Sequence, residues 1–103
     1  MRQESFTRLP PEIVDYGERE HPETAIGEFF ERALLRIGKS NEAERRSLIA
    51  IGKPFIKDLA DWPRCPYSVE SGVWDRFTEI VEKRKQDPGP LLVGAMMTEL
   101  GMS

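Results

Sequence analysis

The apolar residues Ile26, Phe29, Phe30, Ala33, Leu34 and Ile37 recur at the spacing of one helix face, and Glu28, Glu31, Arg32 and Arg36 fill much of the remainder. This stripe constrains the chain more than any other feature. Glu28 and Arg32, four apart, support such a helix modestly, whereas Arg32 and Arg36 oppose it slightly, so its stability must come from burial. The spacing predicts a helix from Thr24 to Ile37, ended near Gly38.

Ser40 or Asn41 offers an N-cap, and Glu44 completes a capping box with Asn41 ahead of Leu48, Ile49 and Ile51. Gly52 and Pro54 interrupt the pattern, while Phe55, Ile56, Leu59 and Trp62 keep the same apolar face. The expectation is a second helix kinked around Pro54, or two short ones meeting at Lys53. Trp62-Pro63-Arg64-Cys65-Pro66-Tyr67 reads as a rigid, proline-rich connector containing a turn, over residues 62–67. Ser68 or Ser71 is placed to cap a third helix with Val69, Val73, Trp74, Phe77, Ile80 and Val81 on its apolar stripe, closing in Lys83, Arg84 and Lys85.

Asp87-Pro88-Gly89-Pro90 stops one helix and starts another, whose Leu91, Leu92, Val93, Ala95, Met96, Met97 and Leu100 make it nearly apolar all round. No stretch shows the sustained alternation of a half-buried strand. The fold class expected is therefore all-α, a small bundle of four to five helices. Residues 1–23 carry three arginines and six carboxylates. They read as an acidic arm, or as a short helix opened by Pro10 and Pro11, ahead of a single helical domain over residues 24–103.

At 103 residues, one modest core is attainable without metal or disulfide staples. One cysteine and one histidine cannot make an intramolecular disulfide or close a structural zinc site, so no metal and no cofactor is expected. His21 reads as a solvent-exposed loop histidine. The net charge of −3 removes the global pull that most non-specific nucleic-acid or anionic-membrane binders need. No apolar run suggests a membrane span or a signal peptide, and a cytoplasmic location follows as the expectation. Glu28/Glu31 and Glu79/Glu82 are spaced to share a helix face, but no phosphate loop, nucleophile elbow or ligand set accompanies them, and they read as solvated charge.

Cys65-Pro66-Tyr67-Ser68 resembles the monothiol form of the glutaredoxin active-site motif, which implies a thiolate stabilised at a helix N-terminus. The resemblance covers four residues. A glutaredoxin sets this motif after an early strand and adds a later proline loop and glycine pair, and the surrounding sequence follows neither pattern. A cysteine packed in a turn is the simpler reading.

These eliminations leave a non-enzymatic protein-binding regulator, such as an inhibitor, immunity or antitoxin-like factor or an assembly adaptor of a bacterial or phage type. The acidic N-terminal arm supplies anchors and charge through Phe6, Leu9, Glu12, Ile13, Asp15, Tyr16, Glu18 and Glu20, suited to a partner protein with a basic surface. Met96 and Met97 either fill the core as part of a central helix or offer an adaptable apolar face on the last helix, for a partner or a second copy. The alternative is a helix-turn-helix-like DNA-binding regulator over residues 39–76, using Lys39, Arg45, Arg46, Lys53, Lys57 and Arg76. Its carboxylates Glu70 and Asp75 would oppose phosphate.

Overall fold

The computed structural model describes residues 1–56 and 62–102. In chain order the elements are β1 (Arg2–Arg8), α1 (Pro11–Glu20), α2 (Ile26–Lys39), α3 (Glu42–Gly52) with a 3-10 turn at Lys53–Phe55, β2 (Arg64–Glu70), α4 (Ser71–Lys83) and α5 (Pro88–Leu100). The chain is thus mostly helical but not all-α. β1 and β2 form a two-stranded antiparallel sheet in which Arg2 faces Glu70 and Arg8 faces Arg64.

The sheet corrects two expectations. The amino-terminal residues 2–8 are a strand, and the connector at 62–67 becomes strand from Arg64 onward instead of a turn. Proline in β2 is tolerated because of its register. Leu9 donates to the Pro63 carbonyl and Ser71 to the Met1 carbonyl, so the odd-numbered residues form the hydrogen-bonded pairs. Pro66 sits at a non-hydrogen-bonded position opposite Phe6, where the ladder asks nothing of its missing N–H.

The helices follow local chemistry closely. α2 carries the stripe, and Phe29, Phe30, Ala33, Leu34 and Ile37 are all buried. Asn41 caps α3, accepting from the Glu44 amide while the Glu44 side chain accepts from the Asn41 amide, a complete capping box. α3 ends at Gly52 and tightens into the 3-10 turn that contains Pro54; Leu59 lies outside the described residues. Pro11 occupies the first turn of α1 and Pro88 that of α5. Neither Ser68 nor Ser71 caps α4. Glu70 takes that position without a side-chain bond, and the Ser71 hydroxyl donates instead to the Met1 carbonyl.

α5 is the centre of the molecule, with Leu91, Val93, Ala95, Met96, Met97 and Leu100 buried. It packs against α3 on one side and α2 on another, while α2 also covers β2 and α4. The α3–α5 contact is close enough to exclude side chains. A Cβ on Gly94 would fall on the Leu48 carbonyl, and one on Gly52 on the Pro90 carbonyl and 2.6 Å from the Gly94 amide. Gly27 has the same role where α2 meets β2, since its Cβ would lie 2.7 Å from the Pro66 carbonyl oxygen.

Candidate protein-binding groove

Leu9 and Ile13, expected to anchor a partner, are 1% and 0% exposed and belong to the core. Met96 and Met97 are likewise buried, at 0% and 4%, because α5 is enclosed on several sides. None of the four offers surface to another molecule. Glu12, Asp15, Glu18 and Glu20 are exposed on α1, and Tyr16 is half-buried with its hydroxyl donating to the Gly101 carbonyl. Phe6 is the anchor that stays outside, 58% exposed on β1.

Phe6 lines a groove of about 790 Å³ whose floor is one face of the sheet and whose wall is the outer face of α2. Arg2, Glu4, Phe6, Pro66 and Ser68 supply the floor, and Glu28, Glu31, Arg32 and Leu35 the wall. The four wall residues recur at i, i+3, i+4 and i+7, the solvent side of the helix whose other side is the core stripe. Leu35, 41% exposed, is the apolar member of the wall, across from Phe6. Leu35 was missed in sequence because it falls off the apolar stripe and reads as one isolated exposed residue.

Arg2 braces the groove. Its guanidinium crosses the sheet to the Glu31 carboxylate at 3.1 Å, the Glu70 carboxylate at 3.2 Å and the Ser68 carbonyl. The hydrogen bond that Arg2 donates to Glu31 first, then charge, raises the Arg2 pKa further, and the amino-terminal ammonium followed by Arg2 holds the Glu70 carboxyl below its ordinary value. Arg32 lies over the Phe29 ring, 5.2 Å from its centroid. Beneath the groove, Phe30, Tyr67, Trp74 and Phe77 form a row of aromatic contacts, with Phe30 and Tyr67 centroids 4.5 Å apart.

Of the basic residues, Arg45 and Arg76 line one cleft together with Glu42 and Glu79, and Lys39 and Arg76 line another. Arg45 is 5% exposed and donates to the Ser40 carbonyl at 2.6 Å, closing the end of α2. Its Nε has no hydrogen-bond partner among the described residues. Arg46 pairs with Glu42, and Arg76 pairs with Glu79 while reaching the Gly38 carbonyl. Lys39 and Lys53 are exposed on different elements, and Lys57 lies outside the described residues. Strand β2 separates α3 from α4, so the short turn that defines a helix-turn-helix is not formed over residues 39–76.

Cys65 sits in β2 rather than at a helix N-terminus, 4% exposed. Burial, followed by the nearby Glu18 charge, pushes its thiol pKa up, the reverse of what the glutaredoxin-like tetrapeptide implies. A disulfide reagent such as DTNB at mildly alkaline pH is expected to label native Cys65 slowly and denatured Cys65 at once; fast stoichiometric labelling of the native chain would contradict this environment.

His21 is half-buried rather than exposed. Its Nε2 donates to the Leu100 carbonyl at 3.0 Å, and its ring lies 4.9 Å from that of Phe29, tying the end of α1 to the end of α5. Among the described residues no group of three or more His, Cys, Asp or Glu is placed to hold a metal ion, and no helix is long and apolar enough to cross a membrane. Comparison with protein-family models, curated proteins and solved structures returned no match.

Proposed function

We propose that the chain is a non-enzymatic protein-binding regulator and that the groove between the sheet and α2 receives its partner. One observation carries this reading: Phe6 and Leu35, two of the most exposed large hydrophobic side chains, line the same concave surface. An apolar anchor held between polar walls is how protein segments are recognised, the buried centre supplying affinity and the charged rim supplying register. The lining charges are Arg2 and Arg32 against Glu4, Glu28 and Glu31. This excess of one negative charge suits a partner segment that is basic around one apolar side chain, and the exposed carboxylates of α1, outside the groove, add to the long-range attraction.

The test uses the chain as bait in lysate of its host, treated with nuclease, beside a Leu35→Glu variant and a variant reversed at Glu12, Asp15, Glu18 and Glu20. Leu35 is a solvent-side helix position, so glutamate there keeps the helix. A stoichiometric protein that survives nuclease and binds Leu35→Glu about tenfold more weakly is the expected result, since one buried anchor is worth about 1.4 kcal/mol or more. Charge reversal on α1 is expected to slow association and flatten its salt dependence. Equal retention by Leu35→Glu overturns the groove, and loss of every partner on nuclease treatment moves the function to nucleic acid.

A further inference from the structure

Among the described residues the sheet has one edge covered and one edge open. β2 directs the carbonyls of Pro66 and Ser68 toward α2, where Gly27 lies against the first and the Arg2 guanidinium reaches the second. On β1 the odd-numbered residues point their backbone groups at β2. The N–H and C=O groups of Arg2, Glu4, Phe6 and Arg8 therefore point outward, and none has a backbone partner among the described residues. Folded proteins usually blunt such an edge with proline, a bulge, short length or charged side chains, lysine above all. β1 has no proline, lysine or bulge over its seven residues, all but Thr7 are exposed, and its charges Arg2, Glu4 and Arg8 alternate in sign, which leaves room for a complementary register.

We infer that β1 pairs with β1 of a second copy of this chain, antiparallel, to make a continuous four-stranded sheet. The sequence selects the register. A two-fold antiparallel pairing on the outward groups of β1 that engages at least five of its residues can be centred in three ways. Centred on Glu4, it sets Glu4 against Glu4 of the other copy; centred on Ser5, it sets Arg2 against Arg8. Like charges directly opposite are destabilising. Centred on Phe6, it sets Glu4 against Arg8 twice and Phe6 against Phe6, so that opposite charges flank an aromatic pair. Neither Glu4 nor Arg8 has a salt bridge within its own chain among the described residues; Arg8 donates from Nη1 to the Trp62 carbonyl at 3.0 Å, which leaves its charge without an anionic partner there.

In antiparallel pairing, directly opposed side chains share one face of the sheet. The two Phe6 rings then meet on the groove side, and the two grooves join into one surface with four strands as floor and an α2 helix along each side. The inference goes beyond the partner-binding reading and does not depend on it, because a monomer with a working groove overturns the dimer alone.

Sedimentation velocity over a concentration series tests the pairing, with circular dichroism to verify that each variant is folded. The wild type is expected to dimerise, and Glu4→Arg and Arg8→Glu each to dimerise about tenfold more weakly. An equimolar mixture of the two variants is expected to associate again, because positions 4 and 8 are then both cationic in one chain and both anionic in the other. Phe6→Pro removes an outward N–H that β2 does not use and is expected to abolish association. Amide exchange at Glu4, Phe6 and Arg8 should slow as concentration rises. A wild type that stays monomeric overturns the inference, as does Arg8→Glu associating more tightly, which is the signature of the register centred on Ser5.

Discussion

Gly94→Ala lowers the unfolding free energy by about 2 kcal/mol or more, although alanine is the better helix former by up to about 1 kcal/mol. The sign is decided by what the new methyl meets. On the α3 side of α5 it falls on the Leu48 backbone carbonyl, which belongs to a hydrogen-bonded helix and cannot rotate away as a side-chain tip would. The two helices must separate, and Leu48, Leu91 and Met97 lose contact together. Gly72→Ala is the matched control, because that glycine is also helical and nothing lies within 4 Å of its added Cβ. Urea unfolding should show the midpoint falling for Gly94→Ala and holding or rising for Gly72→Ala. An unchanged midpoint for Gly94→Ala would show that the helices are not in backbone contact.

Phe30→Ala is the second large effect, a loss of about 3 to 5 kcal/mol. The ring is 1% exposed and stands at the junction of α2, β2 and α4, first in the row that runs through Tyr67 and Trp74 to Phe77. Its removal leaves a cavity bordered by elements that are each held in place by other contacts, so the space cannot collapse cheaply. Tyr67 lines the groove above it, and partner binding should weaken with stability. Phe30→Leu, which keeps most of the volume, is expected to retain most of the stability. A loss below about 1 kcal/mol for Phe30→Ala would mean that the aromatic row is not packed as described.

The helices were legible in sequence because their causes are local. The stripe from Ile26 to Ile37, the Asn41/Glu44 box and the Pro88 start each lie within a few residues of what they produce. The sheet was not legible because its causes are distant. Arg2 to Arg8 are exposed on both faces and leave no alternation, and β2 carries a proline whose tolerance depends on a partner strand some 60 residues earlier, with Arg2 and Ser68 lying 66 apart. Gly52 looked like an interruption of α3, whereas it is a point of backbone contact with α5. Of the groove, Phe6 was visible, whereas the acidic residues of α1 lie outside its lining. Leu35 was not, since only the sheet turns one exposed leucine into the side of a groove. Met96 and Met97 were ambiguous for a related reason: an all-apolar helix suits a core and an interface equally until its neighbours are placed.

The order of the elements along the chain sets how the molecule is made. β1 leaves the ribosome before the other described elements, and its partner strand follows about 3 to 13 s later at ordinary rates of synthesis, given the 66 residues between Arg2 and Ser68. α5, against which α1, α2 and α3 all rest, comes later than every other described element. Throughout that interval the apolar face of α2 and the free edge of β1 are uncovered in a nascent chain. Closure of the core therefore waits until α5 has been made.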